Sequence, residues 1–373
     1  MSAPPQTAVM TGRLTWVDNL RVAAIAGVIV VHTATAYVTD IADWYYHDEL
    51  DPTPVGFAVF AVPALFGAVF GLGPLFWLAG WFSAGSLHRR GPGRFVVDRL
   101  IRLGVPVAVF VFVINPLADL VGSLRREHGS FVDYLGESEF GVTWFVVALI
   151  LCSTLYALLR SVRPQPLTRR PGWRSHLAAA VVITAGAVAL WPTSSLLDEH
   201  LMSARPGAWL QGGVLFGLGA MAAETADGEG VPFLQRRTER AWGWATVVGG
   251  AAAIGFIASS GDAPLEDMLH EMGWRGIGFA VAYGIVSVSF TMWCLAWFRR
   301  RWTGERRWSR AAGRASYATY LMHPLVLTSL MVGLGWLALP PEAKFLLVAA
   351  LGVPLCFAVG HLATVAPGLR RVL

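Results

Sequence analysis

The sequence predicts an all-α protein that crosses a membrane about ten times and keeps both termini in the cytoplasm. Three observations predict it: charge is scarce, apolar runs of bilayer length recur along the chain, and arginine is concentrated in alternate connections. Of the 373 residues, 55% are hydrophobic and 14% charged. A soluble protein carries roughly 25% charged residues, because its surface must be hydrated. The 16 Trp and 20 Phe suit lipid-facing walls and interfacial belts.

A crossing takes about 20 apolar residues. Such runs lie near 18–38, 58–86, 101–121, 142–160, 176–192, 208–224, 242–260, 275–298, 315–338 and 345–366, the fifth and sixth being the weakest. Backbone groups in lipid must be satisfied within their own segment, so these runs are expected to be helices. A membrane barrel would show alternation instead. No connection is of soluble-domain size and no fixed-period repeat is present. The expected organisation is a cytoplasmic segment at 1–17, one transmembrane domain over 18–366, and a cytoplasmic tail at 367–373.

Orientation follows from arginine. Connections after the second, fourth, sixth and eighth runs carry Arg89, Arg90, Arg94 and Arg99, then Arg163, Arg169, Arg170 and Arg174, then Arg236, Arg237 and Arg240, then Arg299 to Arg301, Arg306, Arg307 and Arg310. The connection after the first run holds Asp40, Asp43, Asp48, Glu49 and Asp51, and the one after the seventh holds Asp262, Glu266, Asp267 and Glu271. On this topology 24 of the 29 Lys and Arg face one side, which the positive-inside rule makes cytoplasmic. Membrane sidedness explains the basic balance, so no nucleic-acid partner is expected. Ala34-Thr35-Ala36 resembles a signal-peptidase site, but signal h-regions seldom hold residues such as Asp18, Arg21 and His32, so the first run is expected to be retained. Cys152, Cys294 and Cys356 fall inside apolar runs without metal-ligand spacing, and no metal is expected.

Ionisable groups inside a span are costly, and each is a candidate for function. Arg21 and His32 are eleven residues apart, three full helical turns, so they share a face and lie roughly 16 Å apart along the axis. Asp18 precedes Arg21 by three and shares that face. Neutral imidazole can take a proton from a hydroxyl, which is general-base work, but it can equally bond a neighbouring helix. In Gly71-Leu72-Gly73-Pro74-Leu75-Phe76-Trp77-Leu78-Ala79-Gly80-Trp81-Phe82 the proline interrupts the backbone ladder and the glycines permit close helix approach. Arg99 and Arg102 share a face and suit phosphate, although topology alone also places arginine there. Ser316, Tyr320 and His323 form a stripe at i, i+4 and i+7, with Pro324 loosening the helix just after; it can line a tunnel or a helix seam.

Four of these places, in order, resemble the membrane-bound acyltransferase 3 family. Asp18-Asn19-Leu20-Arg21 leading to His32 resembles its opening Arg-x10-His motif. Leu75 through Phe82 resembles its second-span Phe/Leu-Ser-Gly-Phe segment, with Ala79 where a serine is common. Arg99-Leu100-Ile101-Arg102 resembles its Arg-x-x-Arg motif, and Ser316-Tyr317 through Tyr320 to His323-Pro324 its late Ser-Tyr-x-x-Tyr-x-x-His segment. Thr143-Trp144-Phe145 stands where members carry His-Leu-Trp-Phe, without the histidine. The similarity runs from about residue 13 to 366, and within the family the chain looks most like stand-alone members related to the protein that succinylates periplasmic glucans.

The resemblance implies an O-acyltransferase with no permanently bound cofactor, in a cell membrane. Acyl-CoA would be the donor, its phosphates held by Arg21, Arg99 and Arg102. His32 would be base or acyl carrier, with Asp18 and His323 in catalytic roles. Ser316, Tyr320 and Trp144 would meet an extracytoplasmic glycan or glycolipid, with a periplasmic or cell-wall transfer partner completing delivery. A transporter or flippase, and a non-catalytic scaffold of envelope polysaccharide assembly, are the alternatives the residues themselves leave open.

Overall fold

The computed structural model describes residues 14–38, 44–48, 51–124, 130–136, 139–165, 170–192, 206–226, 236–259, 265–271, 273–304 and 307–366. Arg13, Asp40, Asp43, Glu49, Arg169, Asp262, Arg306, Arg370 and Arg371 lie outside them, as do most of the N-terminal segment and the whole tail. Among the described residues all regular secondary structure is helical, joined by turns and irregular segments such as Trp44–Asp48. The helices that matter below are α1 (Thr15–Tyr37), α2 (Val62–Phe70), α3 (Gly73–Arg90), α4 (Pro92–Arg99), α5 (Asn115–Ser123), α6 (Trp144–Val162), α7 (Trp173–Leu190), α8 (Pro206–Glu224), α9 (Arg236–Ala258), α10 (Trp274–Arg301), α11 (Arg307–Leu334) and α12 (Pro341–Val365).

Nine helical stretches among the described residues are long and apolar enough to cross a membrane, which makes the chain an all-α polytopic membrane protein. Many outward side chains on them are large and apolar, including Phe112, Leu155, Leu158 and Val247. Exposed Trp173, Trp244, Trp274 and Trp336 fit interfacial positions. The sixth expected run is a helix, α8, but is not one of the nine: Gln211 and five glycines dilute it.

The chain divides into two compact units. The first comprises 1–17, 73–99 and 148–303; the second comprises 18–72, 100–147 and 304–373. In the first unit, packing shows why α8 still counts as a crossing. Gly186 of α7 faces Leu210 of α8 and Trp191 faces Gly207, so α8 runs back against α7. In turn α10 is antiparallel to both α7, through Thr184 and Gly284, and α9, through Gly243 with Trp293 and Phe256 with Gly278. Two parallel helices, α7 and α9, need one return between them, and α8 is that return. Its 19 residues reach about 28 Å, enough for the hydrocarbon core.

Small residues make these contacts. A Cβ on Gly80 would lie 1.9 Å from the Phe216 carbonyl oxygen, and one on Gly219 would lie 1.9 Å from that of Trp77. The two backbones therefore touch, as lipid-embedded helices do where small residues face each other. Substituting Gly80→Ala is expected to destabilise the protein by about 1–3 kcal/mol. Gly217→Ala, where an added Cβ meets nothing within 4 Å, is the control expected to be neutral or better. Thermal unfolding of both variants in detergent checks this.

Polar pairs join the same helices: Gln211 donates to Ser287 at 2.8 Å and Thr246 to Ser289 at 3.0 Å. At one end of this unit carboxylates meet the arginines. Glu224 binds Tyr156 and Arg160, and Glu239 binds Arg300 and Arg301. The arginine-bearing end of α6 is thus tied to the end of α8 through Glu224, and that of α10 to the start of α9 through Glu239.

In the second unit α11 is the centre. It runs parallel to α1, with Gly313 against Asp18 and His323 against His32, and antiparallel to α12, with Thr319 against Gly360. Gly122 of α5 admits Thr328 of α11 and the carbonyl of Tyr45. The second expected run is interrupted. It forms a π-helical stretch Phe57–Ala61, continues as α2, turns at Gly71-Leu72 and restarts as α3 at Gly73-Pro74. Those 37 residues unbroken would reach about 55 Å, well beyond a bilayer core.

Candidate functional site

Three rings of the second unit come together. His32 of α1 stacks on Trp44 with centroids 4.3 Å apart, and on His323 of α11 at 5.2 Å. Trp44 and His323 are 6.1 Å apart and nearly parallel. The two histidines are 291 residues apart in sequence, and the parallel packing of α1 on α11 is what joins them. His32 lies on the last third of α1, about 26 Å beyond Thr15 and about 8 Å short of Tyr37. The connection that follows α1 can therefore fold back over it and deliver Trp44.

His323 is held by a local device written in the sequence. Helix α11 continues through Pro324. Proline has no N–H, so the carbonyl four residues earlier, on Tyr320, loses its helical donor. His323 Nδ1 fills that place at 2.5 Å. A carbonyl only accepts, so Nδ1 carries the proton and Nε2 keeps a lone pair. Nε2 is buried and has no hydrogen-bond partner among the described residues, although the residue is fully enclosed. His32 is only partly buried, so its ring is the accessible one of the pair.

The ring cluster is braced on several sides. Tyr320 donates its hydroxyl to the Val142 carbonyl, and its ring meets Phe145 edge-on at 6.0 Å. Trp144 itself is half-buried against Phe145. The neighbours of Trp144, Val142 and Phe145, thus support Tyr320. Ser316 turns back on its own helix, donating to the Ala312 carbonyl at 2.8 Å. Tyr317, between them, donates to the Leu103 carbonyl at 3.4 Å and so ties α11 to the π-helical stretch Leu100–Gly104 that carries Arg102.

The connection after α1 had read as an acidic outer loop; at Trp44–Asp48 the structure buries it. Tyr45 donates to Asn115 Oδ1, and burial, with Asp119 and Glu139 nearby, holds its phenol well above the ordinary value, so it stays a donor. Asp48 accepts from Lys344, the sole lysine of the chain, at 3.0 Å, with both side chains about 5% exposed. The Asp48 backbone N–H also donates to the Ala36 carbonyl at 3.0 Å. Sequence reasoning missed Trp44, Tyr45, Asn115 and this ion pair. The signals were there: an unbroken run of rings, Trp44-Tyr45-Tyr46-His47, and one lysine inside an apolar run.

The remaining candidates are spread along the chain. Asp18 pairs with Arg21 at 3.9 Å and packs against Gly313. It is fourteen residues before His32 on one continuous helix, about 21 Å away, so it cannot share a proton directly with that imidazole. Arg21 and Arg102 are exposed. Arg99, in the first unit, donates to Ser83 at 3.3 Å and lies 5.2 Å over the Phe95 ring. Ser83 is one helical turn beyond Ala79, the position where a serine is common. The cysteines are all unpaired thiols, with Cys294 and Cys356 buried. Among the described residues no group of three or more His, Cys, Asp or Glu side chains is placed to hold a metal.

No curated protein and no solved structure matches the chain. A family model does: Acyl_transf_3, described as an acyltransferase domain, matches residues 14–361. That match takes in α1 with its histidine, the arginine motif and the Tyr320-to-Pro324 device, and by it the chain belongs to the acyltransferase 3 family and is a multi-pass membrane acyltransferase.

Proposed function

We propose that the protein moves an acyl group, acetyl or succinyl in size, from cytosolic acyl-CoA to a hydroxyl of an extracytoplasmic glycan or glycolipid. The observation that carries this reading is the His32–His323 pair. An acyl transfer to an alcohol needs a base, and a stacked pair of imidazoles, one with a fixed tautomer and one accessible, supplies it. The acceptor hydroxyl attacks the thioester carbon while His32 takes its proton. The imidazolium so formed lies face-on to Trp44, whose ring face attracts a cation. The tetrahedral adduct then expels CoA thiolate, which takes the proton back. His323 keeps His32 in register.

On this reading the donor enters from the cytoplasmic side, because its phosphates cannot be moved into lipid cheaply. Arg21, Arg99 and Arg102 are the cations offered to them. The arginine-bearing helix ends tied by Glu224 and Glu239 in the first unit support taking that end as cytoplasmic. With α8 as a crossing, the number of spans is even and both termini are cytoplasmic. His32, near the far end of α1, then meets an acceptor coming from outside. The membrane would be the cell membrane, and a cell-wall or periplasmic partner would carry the product onward.

Mass spectrometry of envelope glycans from cells with and without the protein tests this. The expected result is an O-acyl increment on one glycan class that disappears with the protein. Identical glycan masses in the two strains would remove the acceptor class.

A further inference from the structure

Resting on the acyl-transfer reading above, we infer that Trp44 is a catalytic residue: its indole Nε1–H is the hydrogen-bond donor for the oxygen of the acyl carbonyl during transfer. The geometry points to it through two groups with opposite needs. Trp44 is 8% exposed, and its Nε1 is buried without an acceptor among the described residues. An indole N–H can only donate. His323 Nε2, in the same ring cluster, is buried without a donor and, with Nδ1 committed to Tyr320, can only accept. Buried polar groups are almost always paired, so two unmet ones in one cluster call for a ligand rather than for chance.

The chemistry of the step asks for such a donor beside the His32 base. As the acceptor oxygen bonds the thioester carbon, its proton passes to imidazole and the C=O π pair moves onto oxygen. That oxyanion needs a fixed donor in a dry site, where a single one is worth about 10²–10³ in rate. When the adduct collapses, C–O is re-formed as a carbonyl, the C–S bond breaks, and CoA thiolate regains the proton. The sum is acyl-CoA plus alcohol giving ester plus CoA thiol. Trp44 lies against His32, so an oxygen bonded to its N–H sits beside the carbon that a His32-activated hydroxyl attacks. The brace under the loop, through Tyr45 to Asn115 and Asp48 to Lys344, is what a preorganised donor requires.

The test uses the full chain in lipid nanodiscs, with acetyl-CoA and succinyl-CoA as donors and D-glucose or water as acceptor, following release of CoA thiol. Trp44→Phe keeps an aromatic face for the imidazolium and removes the N–H. Replacing Trp44 by 3-benzothienylalanine keeps the ring shape with sulfur in place of N–H, and decides the matter if the Phe variant fails to fold. Both are expected to lose about 10²–10³ in kcat with KM for the donor unchanged. A benzothienyl variant as fast as wild type, alongside a silent His32→Ala, would overturn the inference and leave the acyl-transfer reading standing. Wild-type protein that releases no thiol from either donor would overturn both.

Discussion

His32→Ala is expected to lower acyl transfer from acyl-CoA by about 10²–10⁴-fold, the usual worth of a positioned base, with folding and abundance unchanged. His32 is partly exposed and none of the hydrogen bonds described involves it, so its removal leaves little unsatisfied. Steady-state transfer of labelled acyl groups by the purified variant checks the first part, and its thermal unfolding the second. His323→Ala should fall to a similar rate. The double variant should be scarcely worse than either, because residues that act as one unit are not additive. Normal transfer by His32→Ala would end the assignment of the base. A double variant whose losses multiply would separate the two imidazoles into independent roles.

The second large effect concerns stability. Lys344→Met is expected to cost about 3–5 kcal/mol, since it leaves the Asp48 carboxylate buried without its cation. Asp48→Asn combined with Lys344→Met should recover most of that loss, because a neutral pair needs no compensating charge. Thermal unfolding of the single and double variants in the same detergent decides it. Asp48 is four residues beyond Trp44 and holds the same segment, so the single variant is also expected to lose transfer as the stack on His32 loosens. If Lys344→Met melts with the wild type, the pair is a passenger and the Trp44 loop is held by its other contacts, Tyr45 with Asn115 and the Asp48 N–H with the Ala36 carbonyl among them.

These effects rest on contacts of unequal visibility. The apolar runs were legible because lipid imposes one rule on every segment: about 20 residues, helical, nearly uncharged. The exception proves the mechanism. Helix α8 falls short on composition because Gly207, Gly212, Gly219 and Gln211 serve neighbouring helices rather than lipid, and it is recognised as a crossing only from the direction of α7, α9 and α10. His32 and His323 were legible as isolated polar residues in apolar surroundings. So was the proline that frees the Tyr320 carbonyl, since that consequence is local and depends only on i and i+4 spacing.

What lay beyond the sequence is everything that depends on two helices meeting. Asp18 packs against Gly313 of α11, a contact that no helical wheel of α1 contains. Tyr320 finds its acceptor on Val142, a partner that no spacing within α11 encodes. Trp44 sits in a connection whose acidic flanks read as solvent-facing, and its burial is supported by Lys344 arriving from α12 and by Asn115 of α5 under Tyr45. Composition and period thus determined the class of protein and the family motifs, since both follow from what lipid and a single helix allow. The pairing of His32 with His323, the donor brought over them, and the charge that holds it were decided by tertiary structure, because helix packing sets distances that no local spacing encodes.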